Sequence, residues 1–213
     1  MEPLEPPPTD PDTSARDGLV DALLGEAAFS GWTRAALATA ASGLGLPEGE
    51  ADRLFPGGPG QVLAFASRRA DLRTVRDMEA AGVGRLKIRE RIRLGVRTRL
   101  ETHGGAPEAV RRALAFLALP TQAGLGLKLL YDTVDAIWYA AGDTSADFNF
   151  YTKRAILGGV LSATTLHWVN DRSAGHEKTW AFLDRRIEDV MTIEKVKARV
   201  RGWMSPGTAR AGS

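Results

Sequence analysis

The stretch that decides the fold runs from 131 to 191: YDTVDAIWYAAGDTSADFNFYTKRAILGGVLSATTLHWVNDRSAGHEKTWAFLDRRIEDVM. It holds Trp138, Trp168 and Trp180, and all three Tyr of the chain. Its longest uncharged run, Ala155 to Asn170, reads as a helix buried on most sides. A Ser/Thr-x-x-acid capping signal, Thr144 to Asp147, precedes it, and Asn170-Asp171-Arg172-Ser173 stops it. A second helix starts near Ser173, with Trp180, Leu183, Ile187, Val190 and Met191 on one side. Asp184, Arg185, Arg186, Glu188 and Asp189 fall mostly on the other. Two long helices, one almost wholly apolar, build either a core or an apolar pocket.

Working outward, strand signals are nearly absent, so the chain is expected to be all-α with eight to ten helices. Residues 1–14 (MEPLEPPPTDPDTS) are Pro-rich and read as a disordered tail. Leu19, Val20, Leu23, Leu24, Ala27 and Ala28 make the apolar face of a first helix, Ala15 to Phe29. Thr33 caps a short helix ending at Ser42-Gly43, and Pro47 opens another that ends at Leu54. This order of elements over 15–56 resembles the N-terminal three-helix unit of TetR-type regulators. A working helix-turn-helix offers cations and amides to phosphates and base edges. Here the third segment carries Glu48, Glu50 and Asp52 against the single Arg53, so no nucleic-acid partner is expected.

A helix over 59–80 leads through Gly82-x-Gly84 to a long helix from about Arg85 to Glu101. Ile88, Ile92, Val96 and Leu100 form its apolar stripe. Arg85, Arg89, Arg93 and Arg97 form a second stripe, read as stems covering neighbouring helices rather than a docking face for anionic lipid or an acidic partner. Pro107 begins the next helix, and Leu125 to Tyr139 the one after. The last segment, Ile187 to Met204, is cationic and amphipathic: Lys197 and Arg201 accompany Val200, Trp203 and Met204. That pattern suits a membrane interface, against the alternatives of a helix folded back on the domain or a dimer contact.

No uninterrupted apolar run is long enough to cross a bilayer. The acidic, Pro-rich start is neither a secretory signal nor a transit peptide, so the protein is expected in the cytoplasm, peripherally associated with the inner membrane. There is no Cys, hence no thiolate chemistry. No metal, nucleotide or hydrolase motif occurs, and His103, His167 and His176 lie in a turn, an apolar helix and a helix start. Neither a catalytic residue nor a cofactor is expected. The small residues Ala155, Gly158, Gly159 and Ala163 on the apolar helix pair either allow tight helix packing, which composition alone favours, or leave room for an elongated apolar ligand against Ile156, Gly159, Val160, Ala163 and Trp180.

Several blocks in 131–191 are more specific. Asp135-Ala-Ile-Trp138-Tyr139, Ala141-Gly142-Asp143-Thr144-Ser145, Asp147-Phe-Asn-Phe-Tyr151-Thr-Lys-Arg154 and Asp171-Arg-Ser173…Thr179-Trp180-Ala-Phe182-Leu183 resemble the signature blocks of the Coq9 family. Phe55-Pro-Gly-Gly58 and Lys87-Ile-Arg89 resemble its bacterial members. The resemblance spans roughly 15–204. It implies a TetR-like fold with a degenerate helix-turn-helix unit at 15–58, a lipid-binding domain at 59–191, and an amphipathic helix and tail at 192–213. It further implies a non-catalytic homodimer that binds isoprenoid quinone intermediates or other lipid at a membrane and presents them to a ring hydroxylase. The family's partner patch falls on Asp135, Trp138 and Tyr139, with Ile137 where mitochondrial members tend to carry Met. The reading from another class is a ligand-responsive transcriptional regulator.

Overall fold

The computed structural model describes the backbone of residues 11–103, 106–143 and 148–204, with the side chains of 12–103, 106–143 and 150–190. The expected capping pair, Thr144 and Asp147, lies outside the described residues. Among the described residues there are nine α-helices and no strand: α1 (Pro11–Ser30), α2 (Arg34–Gly43), α3 (Glu50–Leu54), α4 (Pro59–Ala80), α5 (Ile88–Glu101), α6 (Pro107–Leu117), α7 (Ala123–Ala140), α8 (Phe148–Trp168) and α9 (Glu177–Met204). The all-α expectation is met.

The first three helices gather round one apolar cluster that includes Leu19, Leu23, Trp32, Leu37, Leu54, Phe55 and Val62. Thr33 caps α2 as its sequence predicts, its hydroxyl accepting from Ala36 N. Trp32 Nε1 donates to the Ala109 carbonyl at 2.9 Å, tying this unit to α6. Two boundaries differ from expectation. α1 begins at Pro11, inside the segment read as a tail, because Pro is tolerated in a first helical turn. Asp12, in that turn, is gripped by Arg53 of α3 at 2.7 and 3.0 Å. α3 begins at Glu50 instead of Pro47, since Gly49 sits at φ +83°, a left-handed conformation that cannot continue a helix.

A second apolar cluster joins α5 to α9 through Ile92, Val96, Leu100, Val134, Ile137, Leu157, Leu161, Trp168, Leu183 and Ile187. A buried polar node crosses the helices at its edge. Arg99 Nε donates to Asp71 Oδ1 at 2.7 Å, and Thr133 Oγ1 donates to the same oxygen at 2.9 Å, so α4, α5 and α7 share one carboxylate. Burial pushes the Asp71 carboxyl up from its usual range, against the opposing pull of Arg99 and Thr133. Burial and the nearby Arg99 guanidinium push His103 down to about 3, so a neutral imidazole faces Arg99 Nη1 at 2.8 Å.

The helices expected separately near 173–191 and 187–204 are one continuous α9. No Pro interrupts it and its only Gly, Gly202, stands in its last turn. The boundary expected at 191/192 therefore falls inside a helix. Its first turn is prepared by Asp171, which accepts from Ser173 N and Oγ and from Thr179 N and Oγ1 at 2.6–2.8 Å.

Candidate functional site: an apolar cleft with a cationic rim

α5, α7, α8 and α9 leave a cleft of about 270 Å³ between them. α8 supplies one stripe, Thr152, Lys153, Ile156, Leu157 and Val160, whose spacing keeps it on a single helical face. α5 supplies Ile88, Arg89 and Ile92, α7 supplies Trp138, and α9 supplies Ile187 and Val190. The lining is mostly apolar, and its two charged groups are both cations.

The cleft's fourth wall is held by charge. Arg93 of α5 pairs with Asp184 of α9 at 2.6 Å, and Arg89 lies 3.7 Å from Glu188. One turn further on, the Arg97 guanidinium sits 4.9 Å from the Trp180 ring centre. The Arg stripe of α5 thus covers α9, in keeping with the packed-helix reading. Each exposed pair alone contributes little. Lys153 is fixed by Asp143 at 3.0 Å and lies 5.5 Å from the Trp138 ring centre. Trp138 is only 8% exposed, and its indole N–H is buried without a hydrogen-bond partner among the described residues.

Of the residues expected to touch lipid, Ile156 and Val160 line the cleft. Gly159 is exposed on another side of α8, and Ala163 is half-buried outside the lining. Trp180 faces the start of α9, its Nε1 donating to the Gly175 carbonyl at 2.7 Å. The expected partner patch is divided. Trp138 is a wall of the cleft and Tyr139 is half-buried. Asp135 receives the buried Arg154 at 2.6 Å and lines a second hollow, of about 450 Å³. That hollow mixes Arg16, Arg68 and Lys128 with Asp71, Asp132 and Asp135, so it has no single charge preference. The backbone of Lys197, Val200, Arg201, Trp203 and Met204 belongs to α9, and their side chains lie outside the described residues. The sequence reading did not place Ile88, Arg89, Ile92, Thr152, Lys153 and Leu157 at a ligand site. Periodicity put them on separate helices, and Ile88, Arg89, Thr152 and Lys153 stand in the sequence blocks quoted above, but neither signal joins them in one site.

Among the described residues no helix is long and apolar enough to cross a membrane, and no cluster of His, Asp and Glu could hold a metal.

The COQ9 family model matches residues 123–194, which cover α7, α8 and most of the cleft's length of α9. Sequence similarity extends further. The mitochondrial ubiquinone biosynthesis protein COQ9 of Rattus norvegicus is 37% identical over 177 residues, 80% of this chain and 57% of the rat protein. The chain is a homologue of the COQ9 proteins. The Homo sapiens protein of the same name is 34% identical over 178 residues, 80% of this chain and 56% of the human one. This chain therefore spans little more than half the length of these COQ9 relatives. Among solved structures, a TetR transcriptional regulator from Nitrosomonas europaea ATCC 19718 superposes with a TM-score of 0.68. It covers 82% of this chain and 97% of its own at 22% identity, which establishes a TetR-like fold and nothing about activity.

Proposed function

We propose that the protein is a non-catalytic accessory factor of ubiquinone biosynthesis that binds an isoprenoid quinone intermediate and presents it to a ring hydroxylase. The carrying observation is the apolar cleft walled by α5, α7, α8 and α9, three of whose walls lie in the COQ9-matching segment. The pathway comes from the printed names of the relatives. Ile156, Val160 and Trp138 contact the ligand in this reading. Asp135 and Tyr139 form the hydroxylase-facing surface beside it. The cationic end of α9, with Lys197, Arg201 and Trp203, rests on an anionic membrane surface, and the protein acts as a homodimer.

The regulator reading is not favoured by the TetR-like fold. α3 presents Glu50 and Asp52, while Arg53 is bound by Asp12 and Glu50, and Arg34 is paired with Asp52 at 2.5 Å. Those ion pairs leave the groove-facing helix a poor match for phosphates.

The test is mass spectrometry of organic extracts of protein purified without detergent, beside an Ile156→Trp variant that fills the cleft. A polyisoprenoid quinone or precursor in the wild-type extract, lost from the variant, is the expected result. An extract without such lipid, or equal lipid in both proteins, refutes it.

A further inference from the structure

Resting on the lipid reading of this cleft, we infer that the site prefers amphiphiles whose polar head supplies hydrogen-bond acceptors to Arg89 and Lys153, an anionic oxygen group most strongly. Among the described residues no carboxylate lines the cleft. Its charged groups are Arg89 on α5 and Lys153 on α8, from two different walls. A guanidinium, an ammonium and an indole N–H can only donate hydrogen bonds. Trp138 on α7, 5.5 Å from Lys153 by its ring centre, carries a buried N–H with no acceptor among the described residues. Thr152 is the one lining side chain with an acceptor oxygen. A binding surface of that kind calls for a ligand that supplies acceptors.

Both cations have carboxylates behind them, and neither carboxylate enters the lining. Glu188 stands 3.7 Å from Arg89, and Asp143 stands 3.0 Å from Lys153. The Asp143 side chain is buried, so it orients Lys153 from the protein side. The Arg89–Glu188 pair is long and about half-exposed on both sides. An incoming carboxylate or phosphate, able to take two parallel N–H donors from a guanidinium, competes well with it. Below the rim, Ile92, Ile156, Leu157, Val160 and Ile187 offer only hydrocarbon, which suits the chain behind such a head. A cationic head would meet two like charges, and an uncharged alcohol would accept weaker hydrogen bonds than an anion does.

The experiment is calorimetric titration of the full-length protein with four twelve-carbon amphiphiles below their micelle concentrations. These are dodecanoate, dodecyl phosphate, dodecanol and dodecyltrimethylammonium. Both anions should bind at least about tenfold more tightly than the cation, as charge-assisted contacts require. Whichever anion binds more tightly names the head as carboxylate or phosphate. The Arg89→Gln/Lys153→Gln protein should lose about tenfold for the anions and keep its dodecanol affinity. Arg73→Gln/Arg76→Gln on α4 makes the same change in net charge away from the cleft and should leave all four affinities unchanged. Arg89→Lys/Lys153→Arg should recover most of the loss, which separates charge from packing. Equal affinities for anion and cation overturn the inference, as does an equal loss of dodecanol and anions in the Gln variant. Binding of none of the four amphiphiles instead sinks the lipid reading on which it rests.

Discussion

Gly95→Ala should destabilise the protein by about 2 kcal/mol, although most Gly→Ala changes inside a helix do the opposite. Gly95 is buried in the middle of α5. Helix propensity favours Ala there by about 1 kcal/mol. A Cβ at this position, however, would stand 2.6 Å from Ile137 Cγ2 and 3.2 Å from Met78 Cε and Sδ. Ile137 and Met78 are both fully buried, so neither can swing into solvent. Forcing one carbon into a filled core costs about 1–3 kcal/mol. A clash with the stem of a β-branched side chain belongs near the top of that range, and the propensity gain offsets only part of it. The net of about 2 kcal/mol corresponds to a loss of roughly 4–8 °C in Tm for a chain of this size. Gly159→Ala is the matched control. Nothing lies within 4 Å of its added Cβ, so it should stabilise by about 0.5–1 kcal/mol. Urea unfolding followed by far-UV circular dichroism measures both. A Gly95→Ala protein as stable as wild type would refute the close approach of α5 to α7 at Ile137.

Asp71→Ala leaves the Arg99 guanidinium buried without its charge partner, and should cost about 3–5 kcal/mol in the same unfolding assay; a loss below 1 kcal/mol would count against the three-helix node. Asp171 gives a pH dependence. Burial alone would raise its carboxyl, but hydrogen bonds from Ser173 and Thr179 outweigh that and hold it well below the usual carboxylate range. A folded-state value below the unfolded one stabilises above about pH 4 and is lost as pH falls further. Asp171→Asn should therefore be less stable than wild type at pH 7, with the gap closing as the medium is acidified towards the folded-state value. A gap that stays constant down to acid would argue that the carboxylate's charge contributes nothing to this turn.

Much of this architecture is local and so was legible in the chain. The helix over 59–80, the helix start at Pro107, the Thr33 cap and the stop at Asn170–Ser173 follow from Pro, Gly and hydroxyl positions that act within a few residues. The acidic character of α3 was also plain from Glu50 and Asp52. The start of α1 was not, because Asp12 finds Arg53 only when α3 folds against it. Nor was the continuity of α9, where a pattern that changes from mixed to cationic looked like a boundary.

The candidate site divides in the same way. Ile156 and Val160 could be singled out because they share a helix with other apolar residues, and local spacing reports that. Trp138 could be noticed as part of a motif, but its burial and its unpartnered N–H depend on α8 packing across it. Arg89 and Lys153 are 64 positions apart and give no joint signal along the chain; they become one rim because α5 and α8 converge on the same cleft. Helical class, the acidic third helix and the likeness to the COQ9 proteins can be read along the chain, since period, charge and motif are local properties. Which faces meet, and so how two cations come to line one apolar cleft, follows from folding alone, because the packing of separate helices depends on contacts between residues remote in the chain.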